Sequence, residues 1–163
     1  MSERYCVRVT KDDLVFSAAH FISYDRETCE RLHGHNYRVA VEVAGPLDAH
    51  HLVFDFIALR DATREITGGL DHHILLATGH PFIRVQPDEK EVTVTTPDAR
   101  YVFPRNDCVL LGIENTTAER LAWWIAGRLR ERIEQSGKTM PTRMQVEVEE
   151  NFGQWAHYEW TAS

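Results

Sequence analysis

The chain has 163 residues, a formal net charge of −7 and 43% hydrophobic residues. This length fits one domain over 1–163 with a core of its own, and the negative charge argues against broad affinity for nucleic acid or anionic membranes. The three cysteines lack CxxC spacing and no signal peptide precedes them, which indicates a reduced, cytoplasmic protein. No apolar run approaches the roughly 20 residues that cross a bilayer, so we expect a soluble protein.

The first third of the chain predicts an antiparallel pair of strands. Residues 5–19 are rich in strand-forming residues, and their interruption at Lys11-Asp12-Asp13 predicts a bulge or tight turn. Residues 37–44 alternate apolar and polar side chains, as a half-buried strand does, and Gly45-Pro46 ends them. Between the two strands, residues 21–31 have no period, which predicts a binding or active-site loop.

Two helices follow. Apolar residues at steps of three and four predict the first helix over 55–66, and Gly68-Gly69 ends it. Thr116 and Glu119 form a capping-box pattern at the start of the second helix, which is predicted to run to about Gln135.

Two further pairs of strands complete the prediction. Residues 80–105 carry two strand-like runs around Thr96-Pro97-Asp98-Ala99, which predicts an inserted hairpin. Residues 143–150 and 154–160 predict the last hairpin, in which Glu150 shares the phase of its apolar neighbours. The order predicts an α+β fold: a four-stranded antiparallel sheet with two helices on one face, plus the inserted hairpin.

Three histidines form the clearest candidate site. His33 and His35 are two residues apart at the start of the second strand, so both side chains point to the same side. His20 ends the first strand, and pairing of the two strands brings it alongside them. Three neutral imidazoles with an open fourth position are typical of a catalytic zinc site. We interpret His50 and His51 as solvated loop residues.

Other residues are candidates for acid, base or binding roles. Cys29 is either a small buried thiol or a base or nucleophile whose thiolate a nearby metal and histidines would favour. Asp71 beside His72 is either an ion pair or an aspartate that orients a general acid/base imidazole. Glu150 at an inward-facing strand position needs a cationic or multi-donor partner, and a planar heterocycle with adjacent N–H groups would satisfy it.

Six motifs follow one another along nearly the whole chain: Phe16-Ser-Ala-Ala-His20, Cys29-x3-His33-Gly-His35-Asn-Tyr37, Val53-Phe54-Asp55-Phe56, Leu70-Asp71-His72, Glu114-Asn-Thr-Thr-Ala-Glu119 and Glu150. Together they resemble the family of 6-pyruvoyl-tetrahydropterin and 6-carboxytetrahydropterin synthases, which have the tunnelling fold. The resemblance implies a small pterin substrate and a homohexamer, a dimer of trimers with its sites between subunits. It implies these residue roles: Zn²⁺ binding by His20, His33 and His35; proton transfer by Cys29, Asp71 and His72; pterin binding by Glu150, Thr116 and Thr117.

The spacing around Cys29 resembles that of particular members. Three residues separate Cys29 from His33, as in the bacterial 6-carboxytetrahydropterin synthases of queuosine biosynthesis, whereas the 6-pyruvoyl-forming enzymes carry a longer spacing. The resemblance therefore implies that 7,8-dihydroneopterin triphosphate is converted to 6-carboxy-5,6,7,8-tetrahydropterin, with 6-pyruvoyl-tetrahydropterin as the alternative product. The available cations for the triphosphate are ordinary surface charges in our interpretation: Arg26, Arg31, Lys138 and Arg143.

Glu30 leaves a second activity open. It completes a Glu-x-x-His-Gly-His pattern that resembles members which cleave dihydroneopterin to 6-hydroxymethyl-dihydropterin for folate synthesis. Since Cys29 and Glu30 are both present, the chain is a candidate for both activities. A pterin-binding protein of the same fold without catalytic activity is the alternative outside the enzymes.

Overall fold

The computed structural model describes residues 4–162; residues 1–3 and Ser163, which the expected 1–163 domain includes, lie outside the described part. The described part forms ten strands, two α-helices and one short 3-10 helix. Their bounds are β1 Tyr5–Val9, β2 Val15–His20, β3 His33–Gly45, α1 Phe56–Gly68, β4 His73–Ala77, β5 Arg84–Pro87, β6 Glu91–Thr95, β7 Arg100–Pro104, the 3-10 helix Arg105–Asp107, β8 Cys108–Leu111, α2 Ala118–Gln135, β9 Arg143–Asn151 and β10 Gln154–Thr161.

The main sheet is ordered β10-β9-β3-β2-β4-β8, and β1 also pairs with β3. Both β1 and β2 are antiparallel to β3, with Val9 opposite Val41 and Val15 opposite Arg38, so they occupy successive parts of one long strand. The turn between them is closed by a hydrogen bond from Leu14 N to Lys11 O. The predicted interruption at Lys11-Asp12-Asp13 therefore separates two strands.

The α+β class is confirmed, but the main sheet has seven strands instead of four. The additional strands β4 and β8 are parallel, β4 to β2 and β8 to β4. Both are short apolar segments whose burial does not alternate. Such runs lack the period-two signal by which a half-buried strand is recognised in a sequence.

Both helices lie on one face of the main sheet. The Asp55 side chain caps α1 by accepting hydrogen bonds from Ile57 N and Ala58 N. Thr117 caps α2, so the predicted cap at Thr116 is wrong by one residue. The core between helices and sheet is mainly aliphatic, and its fully buried members include Val41, Val43, Val146, Val148, Leu121, Ile125 and Leu129.

The insertion is a separate antiparallel sheet ordered β5-β6-β7. It contains the predicted hairpin, β6 and β7, and adds β5 along the outer side of β6. A second apolar cluster lies beneath it, formed by Phe21, Leu76, Ile83, Val92, Val94 and Cys108. We call this group the insertion cluster. No helix among residues 4–162 is long and apolar enough to span a membrane.

Candidate active site

The three histidines meet where β2 and β3 pair. His20 lies directly opposite His33 in the sheet register, and His35 is two residues further along β3. The ring centroids are 4.7 Å apart for His20 and His33, 4.9 Å for His33 and His35, and 5.3 Å for His20 and His35. One nitrogen from each ring lies within 4.8 Å of the others. We call these residues the histidine triad; its spacing could hold one metal ion.

Backbone carbonyls fix two of the three imidazoles. His20 Nδ1 lies 2.9 Å from Thr116 O, and His33 Nδ1 lies 2.8 Å from Arg31 O. Because a carbonyl only accepts, Nδ1 carries the proton in both rings and Nε2 is the atom that can bind a metal. Burial lowers the pKa of His20 to about 4, so this ring is neutral at pH 7, as a metal ligand must be. The Tyr37 hydroxyl lies 3.1 Å from His20 Nε2.

Two polar atoms at the triad are buried without a hydrogen-bond partner among the described residues. They are His35 Nε2 and Glu30 Oε2. Glu30 Oε2 is 3.7 Å from His33 Nε2, and His35 Nε2 is 3.7 Å from Glu150 Oε1. Buried polar atoms are costly when unpaired, and a cation would satisfy both kinds of atom. The residues present therefore fit a divalent metal bound by imidazole nitrogens.

Cys29 and Glu30 point to opposite sides of a small ribbon. The loop before β3 folds back on itself through an antiparallel bridge between Ser23 and Cys29 and a 2.8 Å hydrogen bond from Glu30 N to Ile22 O. In such an extended ribbon, neighbouring side chains alternate sides. Glu30 faces the triad, and the Tyr24 hydroxyl donates a hydrogen bond to its carboxylate.

The Cys29 side chain packs instead against the insertion cluster. Burial raises the pKa of its thiol, and the negative charges of Asp98 and Glu30 raise that pKa further. The described residues therefore favour the neutral thiol. A role of Cys29 in proton transfer stays a prediction.

Asp71 and His72 form the predicted pair, with Asp71 Oδ2 2.8 Å from His72 Nδ1. Ser17 holds both, since Ser17 N donates to Asp71 Oδ1 and His72 N donates to Ser17 O. The Ser17 N–H is the main cause that lowers the pKa of Asp71, and His72 adds to it. The His72 side chain is 82% exposed, and its φ of 58° is unusual for a residue other than glycine.

The pair is held at the Ser17 backbone and borders a cavity along β2 and β3. His72 lines a cavity of about 460 Å³ together with Ser17, Asn36 and the triad residue His35. The Ser17 and Asn36 side chains are hydrogen-bonded to each other, and their positions alternate with those of the triad along β2 and β3. The Ser17 and Asn36 side chains beside His72 therefore lie on the face of the sheet opposite to the triad side chains.

Glu150 lies beside the triad and lines another cavity, of about 480 Å³. Burial raises the pKa of Glu150, and His35 and His33 oppose that rise. Thr117 lines the same cavity, whereas Thr116 is buried behind it: Thr116 Oγ1 donates to Phe21 O, and its carbonyl accepts from His20. Our sequence reasoning missed Tyr24, Asn115 and Trp155 in this lining, because they come from three separate segments.

The candidate cations for an anionic group lie elsewhere. Arg143 is engaged with Glu42 and Glu159 through 2.6 Å contacts, and the Arg26 guanidinium lies 5.1 Å from the centre of the Phe82 ring. Lys138 lines a third cavity between α1 and α2. None of these residues, nor Arg31, lines the Glu150 cavity.

Comparison with known proteins places this arrangement in a family. The family model described as 6-pyruvoyl tetrahydropterin synthase matches residues 8–161. A Methanocaldococcus jannaschii protein, provisionally named 6-carboxy-5,6,7,8-tetrahydropterin synthase, is 32% identical over 146 residues, 89% of each chain. The Haemophilus influenzae protein named 6-carboxy-5,6,7,8-tetrahydropterin synthase is 29% identical over 120 residues, 71% of this chain and 77% of that one.

A solved structure extends the similarity over the whole fold. A Plasmodium vivax 6-pyruvoyltetrahydropterin synthase, in the form of a mutant in which a catalytic glutamate is replaced by alanine, superposes with a TM-score of 0.91 at 27% identity. The match covers 99% of this chain and 100% of that one. The chain thus belongs to the 6-pyruvoyl tetrahydropterin synthase family and is an enzyme of the tetrahydropterin synthase type, a lyase that acts on a small pterin.

Proposed function

We propose that the protein is a zinc-dependent 6-carboxy-5,6,7,8-tetrahydropterin synthase that acts on 7,8-dihydroneopterin triphosphate in the cytoplasm, in the route to queuosine and related 7-deazapurines. The names of its relatives support the product. The observation that carries the proposal is the 3.7 Å approach of His35 Nε2 to Glu150 Oε1. A metal ion bound by the triad would therefore lie next to the Glu150 carboxylate, which would hold the pterin ring.

Each group at the site then has a chemical task. The Glu150 carboxylate would accept hydrogen bonds from the adjacent N–H groups of the pterin, with Thr117 lining the same cavity. Zinc held by His20, His33 and His35 would supply Lewis acidity toward the hydroxyl groups of the substrate side chain. Thr116 would support the metal site without contacting the substrate, since its carbonyl fixes the His20 ring.

Glu30 would move protons at the substrate side chain. Its Oε2 is buried, unpaired among the described residues and turned toward the triad, while Tyr24 holds the other side of the carboxylate. Cys29 is the second candidate base. This orientation of Glu30 favours a second activity, cleavage of the dihydroneopterin side chain to give 6-hydroxymethyl-dihydropterin for folate synthesis.

The Asp71–His72 pair would serve the site of a neighbouring subunit. The Ser17 and Asn36 side chains beside the pair lie on the face opposite to the triad side chains, which supports proton transfer to substrate across an interface between copies. In the described residues, β8 and β10 each pair on one side only, which leaves both ends of the main sheet free to join other copies. We propose a homohexamer built as a dimer of trimers.

A product assay tests the function. Zinc-loaded protein is incubated with 7,8-dihydroneopterin triphosphate, and acetaldehyde, triphosphate and pterins are followed by chromatography and mass spectrometry. We expect 6-carboxytetrahydropterin together with 6-hydroxymethyl-dihydropterin from the second activity. Absence of turnover would contradict the enzyme proposal, and 6-pyruvoyl-tetrahydropterin as the main product would identify the sister activity.

Two variants separate the roles of the neighbouring candidates. Glu30→Gln should abolish the 6-hydroxymethyl product, because an amide cannot take up the proton, with a loss of at least about 100-fold. Cys29→Ala should affect the 6-carboxy product more strongly. Glu27→Gln, in the exposed part of the same loop, is the matched control. Equal loss of both products in both variants would contradict two separable activities.

Mixed oligomers test the shared site. Glu30→Gln subunits and His72→Ala subunits each fail to form the 6-hydroxymethyl product in the proposal, but a hexamer assembled from both would contain some sites with neither substitution. We expect formation of the 6-hydroxymethyl product to return on mixing after dissociation and reassembly. A mass by light scattering below that of a trimer, or no recovery in mixed hexamers, would contradict the interface role of His72.

A further inference from the structure

The inserted sheet contacts the active-site loop through a stack of aromatic rings. Tyr101 on β7 stacks on Phe21, with ring centroids 5.6 Å apart and planes 18° apart, and Phe103 also stacks with Tyr101, at 5.7 Å. Phe21 directly follows the triad residue His20, and its carbonyl accepts a hydrogen bond from Thr116. The insertion is thus packed against the chain segment that carries a metal-ligand candidate.

Cys29 packs against the same cluster. The cluster contains Phe21 with Val92 and Val94 of β6, and Cys29 and Tyr101 both lie against it as partly buried residues. The β6–β7 turn brings Asp98 near enough for its charge to act on the thiol. The insertion therefore surrounds Cys29 with apolar groups and a negative charge, and both disfavour a reactive thiolate.

The ribbon geometry connects this packing to Glu30. Since Cys29 and Glu30 alternate sides of the Ser23–Cys29 ribbon, holding Cys29 in the insertion cluster also holds Glu30 toward the triad. If the ribbon rotated so that the Cys29 thiol reached the triad, Cys29 would have to leave the insertion cluster and Glu30 would have to turn away from the triad.

We propose that the inserted sheet determines which product the enzyme favours, because it holds Cys29 away from the triad while Glu30 faces it. Tyr101 is the positioning residue: its ring joins the inserted sheet to the active-site loop by stacking on Phe21, and it does not line the Glu150 cavity. The inference rests on the proposed function, in which Cys29 and Glu30 support different products. Loss of the stacking contact between Tyr101 and Phe21 should release Cys29 from the insertion cluster and shift turnover toward the 6-carboxy product.

The test uses zinc-loaded protein carrying Tyr101→Ala and has two readouts. The first is the alkylation rate of Cys29 by iodoacetamide, followed by peptide mass spectrometry, with exposed Cys6 as the internal reference. In the wild type, Cys29 should react about 10-fold more slowly than Cys6, and Tyr101→Ala should remove most of that difference. The second is the ratio of 6-carboxy to 6-hydroxymethyl product, which should rise at least about 3-fold.

Two matched variants control for general damage to the insertion. Tyr101→Phe keeps the stacked ring and should retain the wild-type alkylation rate and product ratio. Val102→Ala removes a side chain on the opposite, exposed face of β7 and should change neither readout. Rapid alkylation of Cys29 in the wild type, or an unchanged product ratio in Tyr101→Ala despite faster alkylation, would overturn the proposal and leave the function standing. Absence of both pterin products from the wild type would instead contradict the proposed function, and the selectivity proposal with it.

Discussion

The main sheet and the inserted sheet stabilise their residues by different means. At the triad, buried polar groups are fixed by hydrogen bonds to backbone carbonyls, as His20 is by Thr116. Beneath the insertion, a small apolar cluster with stacked aromatic rings is the main contact. Hydrogen bonds between polar groups fix the orientation of a side chain, whereas apolar packing is non-directional and mainly determines which side chains are excluded from water. Cys29 and Glu30 are neighbours in sequence, yet one belongs to each environment.

The largest expected effect is loss of the metal from the main-sheet site. His35→Ala removes one of three imidazoles, and we expect zinc affinity to fall at least about 100-fold, measured by competition with a chromophoric chelator. His157→Ala is the matched control, because this histidine is exposed on β10. If the His35 variant kept wild-type affinity, the triad would not be the metal site.

Acid should destabilise the metal-free protein through the same site. Burial lowers the pKa of His20 from 6.5 to about 4, so between these values the unfolded chain binds a proton that the folded chain does not. The free energy of unfolding should therefore decrease by about 3 kcal/mol as the pH falls from 6.5 to 4, and His20 should cause no further loss below that.

Urea unfolding of chelator-treated protein across this range measures the effect. His80, at the start of the insertion, also has a pKa lowered by burial and adds to the slope in the same direction. His80→Gln removes that share. Carboxylates with a lowered pKa, such as Asp71 and Glu147, add a loss toward pH 4, and Glu150, whose pKa is raised, opposes it. A free energy of unfolding in this variant that does not change between pH 6.5 and 4 would contradict the assignment to His20.

The smallest effect concerns the insertion alone. Val94→Ala removes two methyl groups from a fully buried position, and we expect a loss of about 2 kcal/mol in the free energy of unfolding. Val102→Ala, on the exposed face of the neighbouring strand, should cost less than about 0.5 kcal/mol. Zinc affinity should stay at the wild-type value in both variants. A large loss of zinc in Val94→Ala would show that the two regions depend on each other.

The triad could be predicted from the sequence because it depends on one regular property, the alternation of side chains along paired strands. His33 and His35 share a face in any strand that contains both, and pairing with β2 adds His20. The opposite directions of Cys29 and Glu30 could not be predicted in this way. They depend on a single bridge in a loop without periodicity, whose phase is fixed by tertiary contacts.

The presence or absence of a periodic signal also explains where the other predicted elements agree with the structure and where they differ. The helix stripes and the alternating strands β3 and β9 carry their own periodic signal, and both were predicted at nearly the right positions. The parallel strands β4 and β8 carry no such signal, because they are short apolar segments whose burial does not alternate. The cap of α2 moved from Thr116 to Thr117, since the Thr116 hydroxyl bonds to Phe21, a partner 95 residues away in the chain.

The peptide unit at Thr116 has one more consequence. Its carbonyl accepts from the His20 ring, and the next residue caps α2 by accepting from the amide of Arg120 and, through its carbonyl, from that of Leu121. Fraying at the N-terminus of α2 would therefore disturb the position of the His20 imidazole, and a metal ion that immobilises this imidazole would suppress the fraying. Hydrogen exchange at these two amides thus reports on the occupancy of a site that neither residue touches.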